Sequence, residues 1–232
     1  MKSKTDLDSV KMIAKYFLYL DIEPTKYGIV NHPIINYYII SLDGKLVNIL
    51  ENKEAYKKYV NMIEKSINES ENIEKIYYLI RKSYRLTFIK YTIDYITQSD
   101  LSKLLSDAWT SSENPNQDIN CSIALISKWF KMSNKEILMN NEDYCVYKKL
   151  PETFVIFRGV GKNSNPYGLS WTLNHDKAKW FAHRFDIKTK QGYVQSCTIN
   201  KKDVLAYFNI RGEYEIVVDH KAIKNLNISI VE

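Results

Sequence analysis

Leu150-Pro151-Glu152-Thr153-Phe154-Val155-Ile156-Phe157-Arg158-Gly159 is where the chain changes character. Four consecutive apolar β-formers, Phe154 to Phe157, read as a buried strand, and the proline before them stops the helical pattern upstream. Downstream the chain reads as short strands at 154–157, 169–172, 193–199, 204–208, 215–218 and 228–231. One helix interrupts them at about 175–185, with Ala178, Phe181, Ala182 and Phe185 as its apolar stripe and Thr172 or Asn174 as its cap. Upstream the pattern is mainly helical: 8–20, 52–67, 71–83, 84–97, 99–108 and 119–131, with a further helix start at Ser133-Asn134-Lys135-Glu136. An Asp43-Gly44 pair between two apolar runs marks a hairpin within that part. Helices first and strands last predict an α+β protein, with a mainly helical region 1–145 packed on a strand-rich region 146–232.

Composition narrows the function. The chain has 232 residues and 45% hydrophobic content, enough for a sizeable core. Its 7 glycines form neither a G-x-G-x-x-G nor a P-loop, so a dinucleotide here needs another architecture. Cys121, Cys145 and Cys197 are odd in number and scattered, which fits a reducing cytoplasm and offers no metal pair. His175 and His183 have no zinc spacing, so no metal is expected. No window is long and apolar enough to cross a bilayer, and no signal peptide is legible. The net charge of +6 permits an acidic partner or nucleic acid and establishes neither.

Three pieces carry chemistry. Arg158 stands at the end of its strand, where a planar guanidinium can grip a diphosphate, and Gly159 lets a ligand or backbone approach closely. Ser170 and Thr172 alternate with Trp171, so both hydroxyls leave one face and the indole the other. Glu213 and Glu215 likewise alternate about Tyr214, two carboxylates that need a partner or a cationic substrate. Each piece alone reads more simply as a strand-end ion pair, an ordinary strand face or an exposed edge. The polar stretch after Trp109, with Glu113, Asn114 and Asp118, reads as a connector that could reach over a cleft.

Together, and in this order, Phe157-Arg158-Gly159, Ser170-Trp171-Thr172 and Glu213-Tyr214-Glu215 resemble the arginine–serine–glutamate class of ADP-ribosyltransferases. The resemblance covers about residues 145–232 and departs from the class in reading Ser-Trp-Thr where Ser-Thr-Ser is usual. It implies a mixed split sheet holding NAD in the cleft between its halves. Arg158, Gly159, Ser170 and Thr172 would bind NAD; Ser170 would position the catalytic Glu215; Glu213 would face the acceptor. It further implies a bacterial or phage effector, toxin or defence component, acting on a macromolecule. Protein ranks slightly ahead of RNA or DNA, and an antitoxin or inhibitor protein is a candidate partner. The alternatives are an NAD glycohydrolase and an inactive basic α+β binding protein.

Overall fold

Asp6 caps the first helix, α1 (Leu7–Leu18), by accepting from the Ser9 amide, and the apolar face of α1 buries Val10, Ala14, Phe17 and Leu18. Two short hairpins follow: β1 (Glu23–Pro24) with β2 (Val30–Asn31), and β3 (Ile39–Leu42) with β4 (Lys45–Asn48). The second turns on Asp43 and Gly44, at φ +50° and +76°, the left-handed pair that the Asp-Gly signal requires. Helices α2 (Lys53–Asn68), α3 (Ile73–Tyr77) and α4 (Arg85–Thr92) then pack around α1. Phe17 meets Phe88 edge-on at 5.8 Å. The helix expected over 71–83 is α3 alone, followed by a 3₁₀ turn at Lys82–Tyr84; Ile73, Ile76, Tyr77 and Ile80 are nevertheless all buried.

The computed structural model describes residues 1–112, 115, 118–162, 164–186 and 192–231, and its contacts divide it into Met1–Leu104 and Leu105–Glu232. This corrects the boundary expected after residue 145. The division falls inside α5 (Gln98–Ser111), and the helices α6 (Ile123–Met132), α7 (Lys135–Leu138) and α8 (Asn141–Lys149) belong with the strands. The reason is packing: α6 and α8 cover β8 (Val204–Phe208), all five of whose residues are buried. Phe130 of α6 bridges Trp109 of α5, at 5.1 Å, and Phe208 of β8, at 6.4 Å.

The second unit is built on a six-stranded sheet in the order β10-β7-β5-β6-β9-β8. The remaining strands are β5 (Thr153–Val160), β6 (Ser170–Thr172), β7 (Tyr193–Asn200), β9 (Glu215–Val218) and β10 (Ser229–Ile230). Every pairing is antiparallel, so the sheet is not the mixed one expected. It is α+β, and it is nearly divided: β5 and β6 meet through one residue pair, Phe157↔Thr172. From Arg158 onward β5 pairs only with β7, and Ser170 and Trp171 pair only with β9. A wedge therefore opens between β5 and β6.

Helix α9 (His175–His183), capped by Asn174, lies against β5 and β7. Two glycines allow it. A Cβ at 159 would stand 2.6 Å from the Ala182 nitrogen and closer still to the Ala178 carbonyl oxygen; one at Gly192 would likewise strike Ala182. Gly159 thus serves helix–strand packing, the close backbone approach that the sequence offered beside a ligand. Phe185 is 73% exposed and past the helix end, so it is no part of the buried stripe. The Gly159→Ala variant should be less stable by about 1–3 kcal/mol or more, the scale of overpacking. Urea denaturation checks this; an unchanged midpoint would mean that α9 shifts without cost.

Candidate functional site

Phe157, Thr172 and Glu215 stand in one row across β5, β6 and β9, because Phe157 pairs with Thr172 and Thr172 with Glu215. Ser170 lies two residues along β6, diagonal to Glu215 on the same face. Its hydroxyl donates to Glu215 Oε1. A second donor reaches the same oxygen: Trp109 Nε1 of α5, at 3.0 Å. Both bonds converge on Oε1, and neither takes Oε2. Glu215 is only 6% exposed and Trp109 1%. Burial pushes the Glu215 carboxyl above the usual carboxylate range; the Ser170 and Trp109 bonds oppose it, nearby Glu213 adds to it, and Arg211 opposes it.

Alternation along β5 sends Arg158 to the opposite side from Phe157, and the wedge between β5 and β6 brings its guanidinium back into the gap. There Nη1 donates to the Ser170 carbonyl and Nη2 to the Asn165 carbonyl at 2.8 Å. Arg158 as a whole is half-buried, but its Nε is sealed from solvent and has no hydrogen-bond partner. Burial draws the guanidinium down to about 10, while the charge of Glu215 holds it up, so it stays ionised at neutral pH. Arg158 is also one of three side chains that pin the loop between β5 and β6. Trp171 Nε1 donates to Gly168 O at 3.1 Å and Gln195 Nε2 to Pro166 O at 2.6 Å.

Thr172 does not offer a free hydroxyl. Its Oγ1 donates to the Glu213 carbonyl at 2.7 Å and accepts from the Asn174 amide at 3.0 Å, in a residue only 4% exposed. It ties β6 to the turn before β9, so the hydroxyl expected to face NAD is engaged within the protein. Glu213 does not alternate with Glu215 along a strand either. Strand β9 starts at Glu215, and Tyr214 sits at φ +50°, so the extended geometry that would align the two carboxylates is absent. Glu213 instead pairs with Arg211, Nη2 to Oε2 at 2.9 Å, in a side chain 19% exposed. The pair lines a concavity of about 340 Å³ with Asn174, Asp176, Lys177, Trp180 and Phe181.

Trp109 is the residue that sequence reasoning passed over, as the rim of a connector. The signal for it lay in α5, whose apolar face runs Leu101, Leu104, Leu105, Ala108 and Trp109, all buried. Of the connector, Glu113 and Asn114 lie outside the described residues. His175 packs edge-on against Phe157 at 5.0 Å, and His183 Nδ1 meets Asp186 at 2.8 Å, so both rings have local roles. Burial pushes the Cys197 thiol up to about 12, which leaves it inert as a nucleophile. Among the described residues no three His, Cys, Asp or Glu side chains group as a metal site, and no helix is long and apolar enough to cross a membrane.

No family model, curated protein or solved structure matches this chain.

An isotope-resolved carboxyl titration should place the Glu215 midpoint above the ordinary carboxylate value. Since the Trp109 bond pulls that midpoint down, Trp109→Phe should move it further up. A midpoint that ignores this substitution would remove Trp109 from the site.

Proposed function

We propose that the chain is an NAD-dependent ADP-ribosyltransferase that passes ADP-ribose to a macromolecular acceptor. The observation that carries this reading is the Ser170–Glu215 contact. It joins a serine and a glutamate from adjacent strands at the edge of a wedge into which an arginine projects. Cleaving nicotinamide from NAD builds positive charge on the ribose, and a fixed carboxylate stabilises it most where water is excluded. Ser170 and Trp109 hold Oε1, so Oε2 is the oxygen left to meet that charge. A cationic substrate beside Glu215 would also offset the burial that raises its pKa.

Arg158 has two tasks in this reading. Its Nη atoms hold the loop carbonyls, and the charge it retains beside the wedge favours a phosphate of NAD. In this reading Gly159 and Thr172 act by setting the positions of α9 and of the turn before β9. Transfer rather than hydrolysis is favoured by Glu213, a carboxylate that already meets a guanidinium in this structure. That contact supports an arginine on a protein as the acceptor. A nucleic-acid acceptor is the second reading. It is favoured by Trp180, 55% exposed, and by Arg184 lying over the rings of Trp180, Phe181 and Phe185 at 5.5, 5.1 and 4.6 Å. Effectors and toxins that act inside cells are the biological setting this chemistry fits.

Incubation with NAD labelled in its adenylate part separates the readings. Label on protein supports the first acceptor class, ribonuclease- or deoxyribonuclease-sensitive label the second, and nicotinamide release without label a glycohydrolase. If nicotinamide is not released at all, the enzyme reading falls. Glu215→Gln keeps the shape and should lower nicotinamide release about a hundredfold or more while NAD still binds. Arg158→Lys should weaken NAD binding and also lower the melting temperature, because it loses the loop carbonyls. The acid limb of the rate profile should follow Glu215: activity falls as pH drops through its raised pKa, and Trp109→Phe moves that limb to higher pH.

A further inference from the structure

We infer that Arg211 is a built-in acceptor, so that the protein ADP-ribosylates its own Arg211 in cis. This rests on the reading of Glu215 as the catalytic carboxylate and adds a modification site to it. Arg211 Nη2 stands 2.9 Å from Glu213 Oε2, within reach for a carboxylate to take a proton from it. Its Nη1 donates to the Ser112 carbonyl at 3.3 Å, so the guanidinium is held at both ends. The side chain is 41% exposed and shares the wall of the 340 Å³ concavity with Glu213.

The turn that presents Arg211 is fixed by its own bonds. Gly212 N donates to Asn209 O at 2.9 Å, and Tyr214 N donates to Asn209 Oδ1 at 3.0 Å. Gly212 at φ +64° and Tyr214 at φ +50° supply the two left-handed residues that fold the chain back into β9. Arg211 is therefore tethered four residues from Glu215 by a short, ordered segment. Its charge is close enough to Glu215 to lower that carboxyl's pKa. A tethered nucleophile needs no encounter with a second molecule, and holding it in place supplies much of the entropy that transfer otherwise costs. The other guanidiniums of this unit are differently engaged. Arg158 is buried on loop carbonyls, and Arg184 lies over aromatic rings.

The step balances without any further reagent. The glycosidic bond of NAD breaks and its electron pair leaves with nicotinamide, neutralising the pyridinium. An Arg211 Nη forms the new bond to the ribose carbon. The proton it loses passes to Glu213 and then to water. The products are nicotinamide, one proton and an Arg211 guanidinium carrying ADP-ribose.

The test is incubation of the full chain with NAD alone, followed by peptide mass mapping, with nicotinamide release measured in the same samples. The expected result is one ADP-ribose on the peptide containing Arg211, at a rate per molecule that does not change with protein concentration. Arg211→Lys should abolish that labelled peptide. Glu213→Gln should slow labelling at residue 211 more than it slows nicotinamide release. Release without label at Arg211 overturns the inference and leaves the enzyme reading standing. A rate per molecule that rises with protein concentration overturns the cis route. Absence of both label and release overturns the enzyme reading and this inference together.

Discussion

Burying a carboxylate is costly unless donors replace the water it loses, and Glu215 at 6% exposure meets that cost with Ser170 Oγ and Trp109 Nε1. Much of the second unit follows from bringing those two donors to one oxygen. Strand β6 must lie beside β9 in the register that sets Thr172 opposite Glu215. Helix α5 must deliver an indole to the same point, and Phe130, packed edge-on against that indole and touching Phe208, holds it there. The compensation is incomplete, since the carboxyl still sits above its ordinary range. A raised carboxyl pKa means that the folded protein binds the proton more readily than the unfolded chain. Its contribution to stability is therefore full below the unfolded value and is lost as pH rises through the folded one. Ionising Glu215 against that burial is a cost in stability.

The divided sheet is the second constraint, and glycine and arginine share in it. Helix α9 sits so close to β5 and β7 that no side chain fits at Gly159 or Gly192. The β5–β6 ladder lapses at the same level, just after Phe157↔Thr172. Arg158 enters the resulting wedge and replaces the missing ladder with donation to Ser170 O. With Trp171 and Gln195 it also fixes the segment 164–168 through carbonyls at Asn165, Pro166 and Gly168. A residue that read from sequence as a phosphate ligand is thus first a structural bridge, and what it has left to offer an anion is its charge. Arginine suits this double use, because five donors on one rigid plane can face several directions at once.

How legible this was depends on the range of the interaction. Local periodicity located the six strands within a few residues, found the Asp43-Gly44 hairpin, and placed α9 with Asn174 as one of two candidate caps. It also sent the Trp171 indole to the face opposite the two hydroxyls. These outcomes depend on neighbours a few positions away. Gly159 was ambiguous because a glycine shows that something approaches, and the approaching body, α9, lies in a different segment. Glu213 was misread because strict alternation assumes extended backbone, and Tyr214 breaks it with a positive φ that a tyrosine gives no sign of. The boundary was placed too late because composition changes at Leu150, whereas cooperative packing follows which helices cover β8. Trp109 was missed for the same reason: its partner is more than a hundred positions away, and an apolar stripe reads identically whether or not its indole nitrogen has work to do.

Two carboxylates two residues apart, Glu213 and Glu215, end in different environments, and the divergence is what allows them different tasks. Glu215 is enclosed, held at one oxygen and pushed toward its neutral form by burial. Glu213 is on the wall of an open concavity and tied to a guanidinium. The left-handed Tyr214 between them causes this, since an extended residue there would have set both on one face to repel each other at close range. On the proposed reading, Glu215 serves charge that develops in a dry site, and Glu213 a cation that arrives from solvent. Environments that separate two neighbouring acids are how one site assigns them separate roles. The same turn that separates them carries Arg211, so the geometry dividing the two carboxylates also supplies the first guanidinium that Glu213 meets.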